Sequence, residues 1–198
     1  MEIQEDYCAV IFVEQNGDDS LVKVTVSGPP GSGTSTLVKR IANNQSWNSL
    51  NGGDIFRSEA AIRGLTVGEF SDLCKKDLDV DRSLDAILKK EIKNPQGSDI
   101  IESRLSGWWA HLMDIECLRI WVNVSPEECA RRIQKREGGD FLTQLKLSQQ
   151  RQMDDKERYR ILYDIDLDDM SPYSLIIDAD NIDADEVYSL VDARLRGD

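Results

Sequence analysis

Residues 22–42, VKVTVSGPPGSGTSTLVKRIA, constrain this chain more than any other stretch. Val22, Val24 and Val26 alternate with Lys23 and Thr25, which is the two-residue period of a strand, and the β-branched content favours the same state. Leu37, Val38 and Ile41 then recur at helical spacing. Between strand and helix lies Gly28-Pro29-Pro30-Gly31-Ser32-Gly33-Thr34-Ser35. It has the spacing Gly-x-x-x-x-Gly-Lys-Ser/Thr of a phosphate-binding loop, except that Thr34 stands in the lysine position. Such a loop holds polyphosphate with inward-pointing backbone N–H groups and must carry little side-chain bulk. Gly28, Gly31 and Gly33 permit that path. The following helix offers unpaired N–H groups and the positive end of its dipole. Ser35 falls where the motif's hydroxyl meets Mg²⁺. Gly28, Pro29, Pro30, Gly31, Ser32, Gly33, Thr34, Ser35 and Thr36 are therefore the candidate nucleotide-binding set.

The remaining chain alternates strands with helices. Residues 46–50 read as a weak strand broken by Gly52-Gly53, with Asp54 opening a helix. Thr66 and Glu69 form a capping box ahead of Phe70, Leu73 and Cys74. A helix is predicted over 80–92, with Leu84, Ile87 and Leu88 inward. Residues 99–102 and 118–124 read as strands, the first ending on an acidic residue, Glu102. Ser125, Pro126 and Glu128 start a helix that stops at Gly138-Gly139. The polar stretch 141–163 reads as a helix bent near its middle. Residues 174–178 make the last strand. Asp183 and Glu186 cap a final helix with Val187, Leu190, Val191 and Leu195 inward. This order predicts an α/β fold with a parallel sheet and ligands at the carboxyl ends of the strands. Residues 8–13, CAVIFV, read as an added edge strand within an N-terminal extension, 1–20, ahead of a single domain, 21–198.

A net charge of −13 argues against nucleic-acid and anionic-membrane surfaces. No apolar run approaches the roughly 18 residues of a membrane span. The start, MEIQED, has no basic region of the kind that opens a signal peptide. Cys8, Cys74, Cys117 and Cys129 are far apart in sequence and read as reduced thiols of a cytoplasmic protein. His111 is the only histidine and reads as a surface residue.

Positive charge near a phosphate loop must come from arginines following strands or lying on a mobile flap. Arg57 follows the Gly-Gly pair and Arg104 follows Glu102. Arg132 and Arg136 share one helix face, as do Arg151 and Arg158, with Arg160 nearby. With these residues the chain resembles the nucleoside monophosphate kinases, and most closely the archaeal-type cytidylate kinases. The matching pieces are VTVSGPPGSGTST (24–36), GDIFR (53–57), ESRLSGW (102–108), RRIQKREG (131–138) and ERYRILYDIDLDD (157–169), in the family's order over roughly residues 21–185.

The resemblance implies a three-layer P-loop kinase fold on a five-stranded parallel sheet. It also implies a helical part binding the monophosphate, about 54–95, and a lid, about 137–158. The implied activity is transfer of the ATP γ-phosphoryl group to CMP or dCMP with Mg²⁺, by a monomer. Ser35 and Glu102 would serve the metal. Arg57 and Arg104 would clamp the acceptor phosphate. Arg132, Arg136, Arg158 and Arg160 would belong to the lid. Gly53, Asp81, Arg82 and Asp85 would line the acceptor site, a carboxylate and an arginine reading the cytosine edge. Two alternatives stand beside this one: a kinase for UMP or AMP, and a nucleotide-binding regulator with little catalysis, for which Thr34 and the run Gln149-Gln150-Arg151-Gln152-Met153 are the motives.

Overall fold

The computed structural model describes residues 21–197; the expected edge strand at 8–13 lies outside them. Strand β1 (Val24–Ser27) leads through the glycine-rich loop into α1 (Thr34–Gln45). β2 (Ser49–Asn51) follows, then α2 (Gly52–Ile62), α3 (Val67–Lys76) and α4 (Leu78–Ile92). The chain re-enters the sheet as β3 (Ile100–Glu102) and continues through α5 (Ser106–Leu112) to β4 (Leu118–Asn123). α6 (Pro126–Glu137) and α7 (Phe141–Tyr163) precede β5 (Leu175–Asp178) and α8 (Ala184–Arg196).

The five strands are parallel in the order β2-β3-β1-β4-β5. Alternation along them feeds two cores. Val24, Val26, Ile100, Ile120 and Val122 face Leu37, Val38 and Ile41 of α1 and Val187 and Val191 of α8. Ile101 and Trp121 face the other way, against Leu88, Trp108, Trp109, Tyr159 and Tyr173. A third cluster, Ala60, Phe70, Cys74, Val80 and Leu84, holds α2, α3 and α4 together as a helical excursion between β2 and β3. The strand carboxyl ends therefore open between this excursion and the α6–α7 arm.

Local signals set most boundaries. The Thr66–Glu69 and Asp183–Glu186 boxes are formed, and Ser125 caps α6 with Pro126 in its first turn. Four sequence expectations need correction. α7 is one uninterrupted helix of 23 residues. α2 begins at Gly52, because the Asn51 side chain caps it one turn earlier than Asp54. The strand expected at 46–50 forms at Ser49–Asn51, since Ser46 closes α1 in the left-handed region with φ 55°. Ile87 and Leu190 point outward, 41% and 51% exposed.

Candidate active site

Gly31 and Gly33 turn the loop with φ of +91° and +95°, a region that disfavours side chains. A Cβ on Gly28 would stand 2.6 Å from Ser32 Oγ and 2.8 Å from the Val122 carbonyl. The loop is thus a tight cradle ending at the start of α1. The Ser32 hydroxyl is buried inside it without a hydrogen-bond partner among the described residues. Beside the loop lies a cavity of about 660 Å³, bounded by Gly31–Leu37, by α6 through Glu128, Arg131, Arg132, Lys135 and Arg136, and by Ile182–Ala184. That volume suits a nucleotide-sized ligand. Arg131 and Arg136 are exposed; they pair with Glu128 and Glu137 of their own helix, and Arg131 also lies over the Phe141 ring of α7. Arg132 is pinned instead. It donates to the Ser32 carbonyl at 3.0 Å, the Ala179 carbonyl at 2.5 Å and Glu128 at 3.0 Å, tying the loop to α6 and to the end of β5.

Ser35 and Glu102 meet at the mouth of the cradle. Ser35 Oγ donates to Glu102 Oε1 at 2.9 Å, and Asn51 Nδ2 donates to Oε2 at 2.5 Å. Burial pushes the Glu102 carboxyl above its ordinary range, and hydrogen bonds from Thr34, Ser35 and Asn51 oppose that rise. A hydroxyl and a carboxylate side by side at a helix N-terminus are hard oxygen donors, the chemistry Mg²⁺ prefers. The cradle's free Ser32 hydroxyl and inward path fit a polyphosphate.

The other arginines separate into exposed and buried. Arg57, on α2, is exposed and pairs with Asp54 at 2.6 Å, its guanidinium close over Gly53. Arg82 is likewise exposed and pairs with Asp79. Arg104 lies deep. It donates to the Gly28 carbonyl at 2.6 Å and to Gln152, and faces Asp155 at 3.4 Å. Burial lowers its pKa, and Asp155 works to restore it. Arg158 bridges Asp155 at 2.8 Å and Asp81 at 3.4 Å. Asp85 accepts from the Tyr163 hydroxyl at 2.7 Å. Burial raises Asp85 to about 6, against the Tyr163 hydrogen bond. Arg160 sits on the surface with Asp164, and His111 is exposed.

The structure thus joins Ser35 to Glu102, and Asp81 to Arg158, while Arg57 and Arg104 have separate partners. Sequence reasoning missed Asn51, Asp155 and Tyr163. Asn51 had a signal, a cap residue directly before Gly-Gly; the pairings of the other two come from tertiary contact alone.

A strand, a glycine cradle, a helix N-terminus and a hydroxyl–carboxylate pair at the sheet's carboxyl edge define a P-loop nucleotide-binding α/β protein. A family model described as AAA domain matches residues 27–146. A shikimate kinase structure from Bacteroides thetaiotaomicron shares the fold at TM-score 0.56 and 15% identity, over 88% of this chain and 98% of that one. The cytidylate kinase of Archaeoglobus fulgidus is 37% identical over 86% of this chain and 92% of its own length. That of Methanocorpusculum labreanum is 35% identical over 87% and 95%. The chain belongs to the cytidylate kinase family.

Proposed function

We infer that this chain transfers the γ-phosphoryl group of ATP to CMP or dCMP, yielding ADP and CDP or dCDP. The observation that carries the reading is the Ser35–Glu102 pair at the mouth of a phosphate cradle whose outer wall, α6, is lined with cations. The cradle residues 28–36 would hold ATP, and Ser35 with Glu102 would hold Mg²⁺, which when bound neutralises charge on the phosphates. Arg132 keeps the loop in shape, while Arg136, whose exposed pair with Glu137 is easily exchanged, supplies charge at the cavity wall.

On the acceptor side, Arg57 and Arg104 would grip the monophosphate, with Gly53 letting it approach the start of α2. Asp81, Arg82 and Asp85 would line the nucleoside, and Arg158 would reach the transferred group when the 137–158 lid closes over the 54–95 part. Arg57 can leave Asp54 at little cost, since an exposed pair contributes about 0.2–1 kcal/mol. We also assign the protein to the cytoplasm as a monomer acting on a small molecule, without nucleic acid or membrane. The acidic balance supports this, and among the described residues no helix is long and apolar enough to cross a membrane. A mass measurement in solution tests the monomer.

An ADP-release assay with a panel of monophosphates tests the activity. CMP and dCMP should be preferred, UMP poorer, AMP and GMP poorest. Equal kcat/KM for AMP and CMP overturns the acceptor assignment, and no stimulation by any monophosphate overturns the kinase.

A further inference from the structure

We propose that Asn51 is a positioning residue that locks the metal-side carboxylate to the start of the acceptor-binding helix, a role that rests on the kinase reading above. Its amide is divided between two jobs. Oδ1 accepts from Gly53 N at 2.7 Å and caps α2. Nδ2 donates to Glu102 Oε2 at 2.5 Å and lies 3.4 Å from Ser35 Oγ. One side chain therefore touches the phosphate loop's helix, the carboxylate on β3 and the helix that carries Arg57.

The backbone makes this strut short. Asn51 and Glu102 are register partners in the β2–β3 ladder. A Cβ on Gly52 would stand 2.9 Å from Ser103 Cβ, and one on Gly53 would stand 2.9 Å from Asn51 Oδ1. The two glycines let α2 start hard against the end of β3. Glu102 then has each oxygen held separately, Oε1 by Ser35 and Oε2 by Asn51. A carboxylate so held keeps one orientation, which in-line transfer requires of everything around the phosphates.

The residue type is informative. Capping alone is served as well by Asp as by Asn. Aspartate at this position would bring a second negative charge against Glu102 and could not donate to it. Only the amide satisfies the helix and the carboxylate together.

Four proteins test this: wild type, Asn51→Asp, Asn51→Ala and Asn51→Asp/Glu102→Gln. Three readouts apply: melting temperature, affinity for a fluorescent ATP analogue with and without Mg²⁺, and kcat and KM for the acceptor. Asn51→Asp keeps the cap but sets two carboxylates together, so it should melt lower than wild type at neutral pH and recover as the pH falls. Its affinity without Mg²⁺ should stay within about threefold, while the tightening produced by Mg²⁺ and kcat should each fall at least tenfold, KM for the acceptor changing less. Asn51→Ala should lose both melting temperature and the Mg²⁺ effect. The double variant, where a Gln amide faces an Asp acceptor, should melt higher than Asn51→Asp but regain no Mg²⁺ effect, because it removes the carboxylate that would hold the metal. Unchanged Mg²⁺ tightening and kcat in Asn51→Asp, or loss of melting temperature alone in Asn51→Ala, would reduce Asn51 to a helix cap and overturn the proposal. A wild type inert toward every monophosphate would overturn the kinase reading instead, and the Mg²⁺ effect on analogue binding still reports on Asn51.

Discussion

Two clusters at the sheet's carboxyl edge, the outer face of α6 and the network around Asp155, hold their charge in opposite ways. On α6, Arg131 and Arg136 are 61% and 66% exposed, with ion pairs to Glu128 and Glu137 of the same helix, so they are available to an incoming anion. In the network, Arg104 and Asp155 are 10% exposed each, and with Arg158 and Asp81 they lie buried between α4, α7 and the segment after β3. Exposed pairs contribute little to stability and are easily exchanged. Buried ones are costly to leave half-paired. The α6 wall is therefore open to an anion as it stands, whereas the Arg104–Asp155–Arg158–Asp81 network must exchange partners before it can bind one. Removing residues from the two clusters should separate stability from activity.

Asp155 gives the largest expected effect, because among the described residues it is the carboxylate that faces both Arg104 and Arg158. Asp155→Ala leaves two buried guanidinium groups short of a counter-charge and should cost about 3–5 kcal/mol of folding stability. Asp155→Asn should cost less, since it keeps the hydrogen-bonding oxygen. Arg104→Ala should lower stability and activity together, as it also releases the Gly28 carbonyl. Denaturant melts of the three variants check this; midpoints within about 0.5 kcal/mol of wild type would show that the network is not structural.

Arg57→Ala is the opposite case. The residue is exposed and tied only within its own helix, so folding stability should hardly change. Loss of a charged contact to the acceptor phosphate should cost about 2–4 kcal/mol in transition-state binding, roughly 30- to 1000-fold in kcat/KM. Lysine should rescue poorly, lacking the planar fork. Activity near wild type in Arg57→Ala would move the clamp elsewhere.

How much of this was legible in the sequence depended on distance along the chain. The cradle, the capping boxes and the Ser125-Pro126 helix start are local chemistry, and they appear where the residues place them. α5 was not anticipated. Its N-cap is Leu105 with no side-chain capping bond, and Ser106, Gly107, Trp108, Trp109 and Ala110 are all buried, so it shows no amphipathic period. Helix formation there follows from the burial of five consecutive residues, with His111 and Leu112 exposed at its end. The buried network was equally hidden: Asp85 and Tyr163 are 78 residues apart, and Asp81 meets Arg158 of α7 through tertiary contact alone.

Asp85 offers a pH test of that hidden network. Its folded-state pKa of about 6 lies above the ordinary 3.8, chiefly through burial, with Tyr163 and Lys89 opposing the rise and Asp81 adding to it. A raised carboxylate binds its proton more tightly in the folded state. Its favourable contribution is complete below about pH 4 and is lost as pH rises through about 6. At pH 7 the ionised group then costs about 3 kcal/mol relative to a neutral one. Asp85→Asn should therefore stabilise the protein at pH 7, by an amount that shrinks toward zero near pH 4. A gain that does not vary with pH would show that Asp85 titrates normally.

Thr34 gives the smallest expected effect, and it bears on whether the donor side works without its lysine. A lysine in this position brings a full charge to the β- and γ-phosphates. Threonine brings a hydroxyl, and here that hydroxyl favours the charged form of Glu102. The missing charge has a source on the cavity wall, in Arg131, Lys135 and Arg136. Thr34→Ala should then cost about 1 kcal/mol or less, the scale of one neutral hydrogen bond. Arg136→Ala should cost clearly more, because contacts to developing phosphoryl charge are worth more than neutral ones. Arg158→Ala should also cost more, though part of its loss will be stability, since it bridges Asp81 and Asp155. Thr34→Lys need not raise the rate, as the added ammonium would compete with the α6 cations for the same oxygens and crowd Glu102. Single-turnover transfer rates of the four variants decide the matter. If Thr34→Ala abolished transfer while Arg136→Ala stayed active, charge compensation from α6 would be wrong, and the Thr34 hydroxyl would have to act on the phosphates directly.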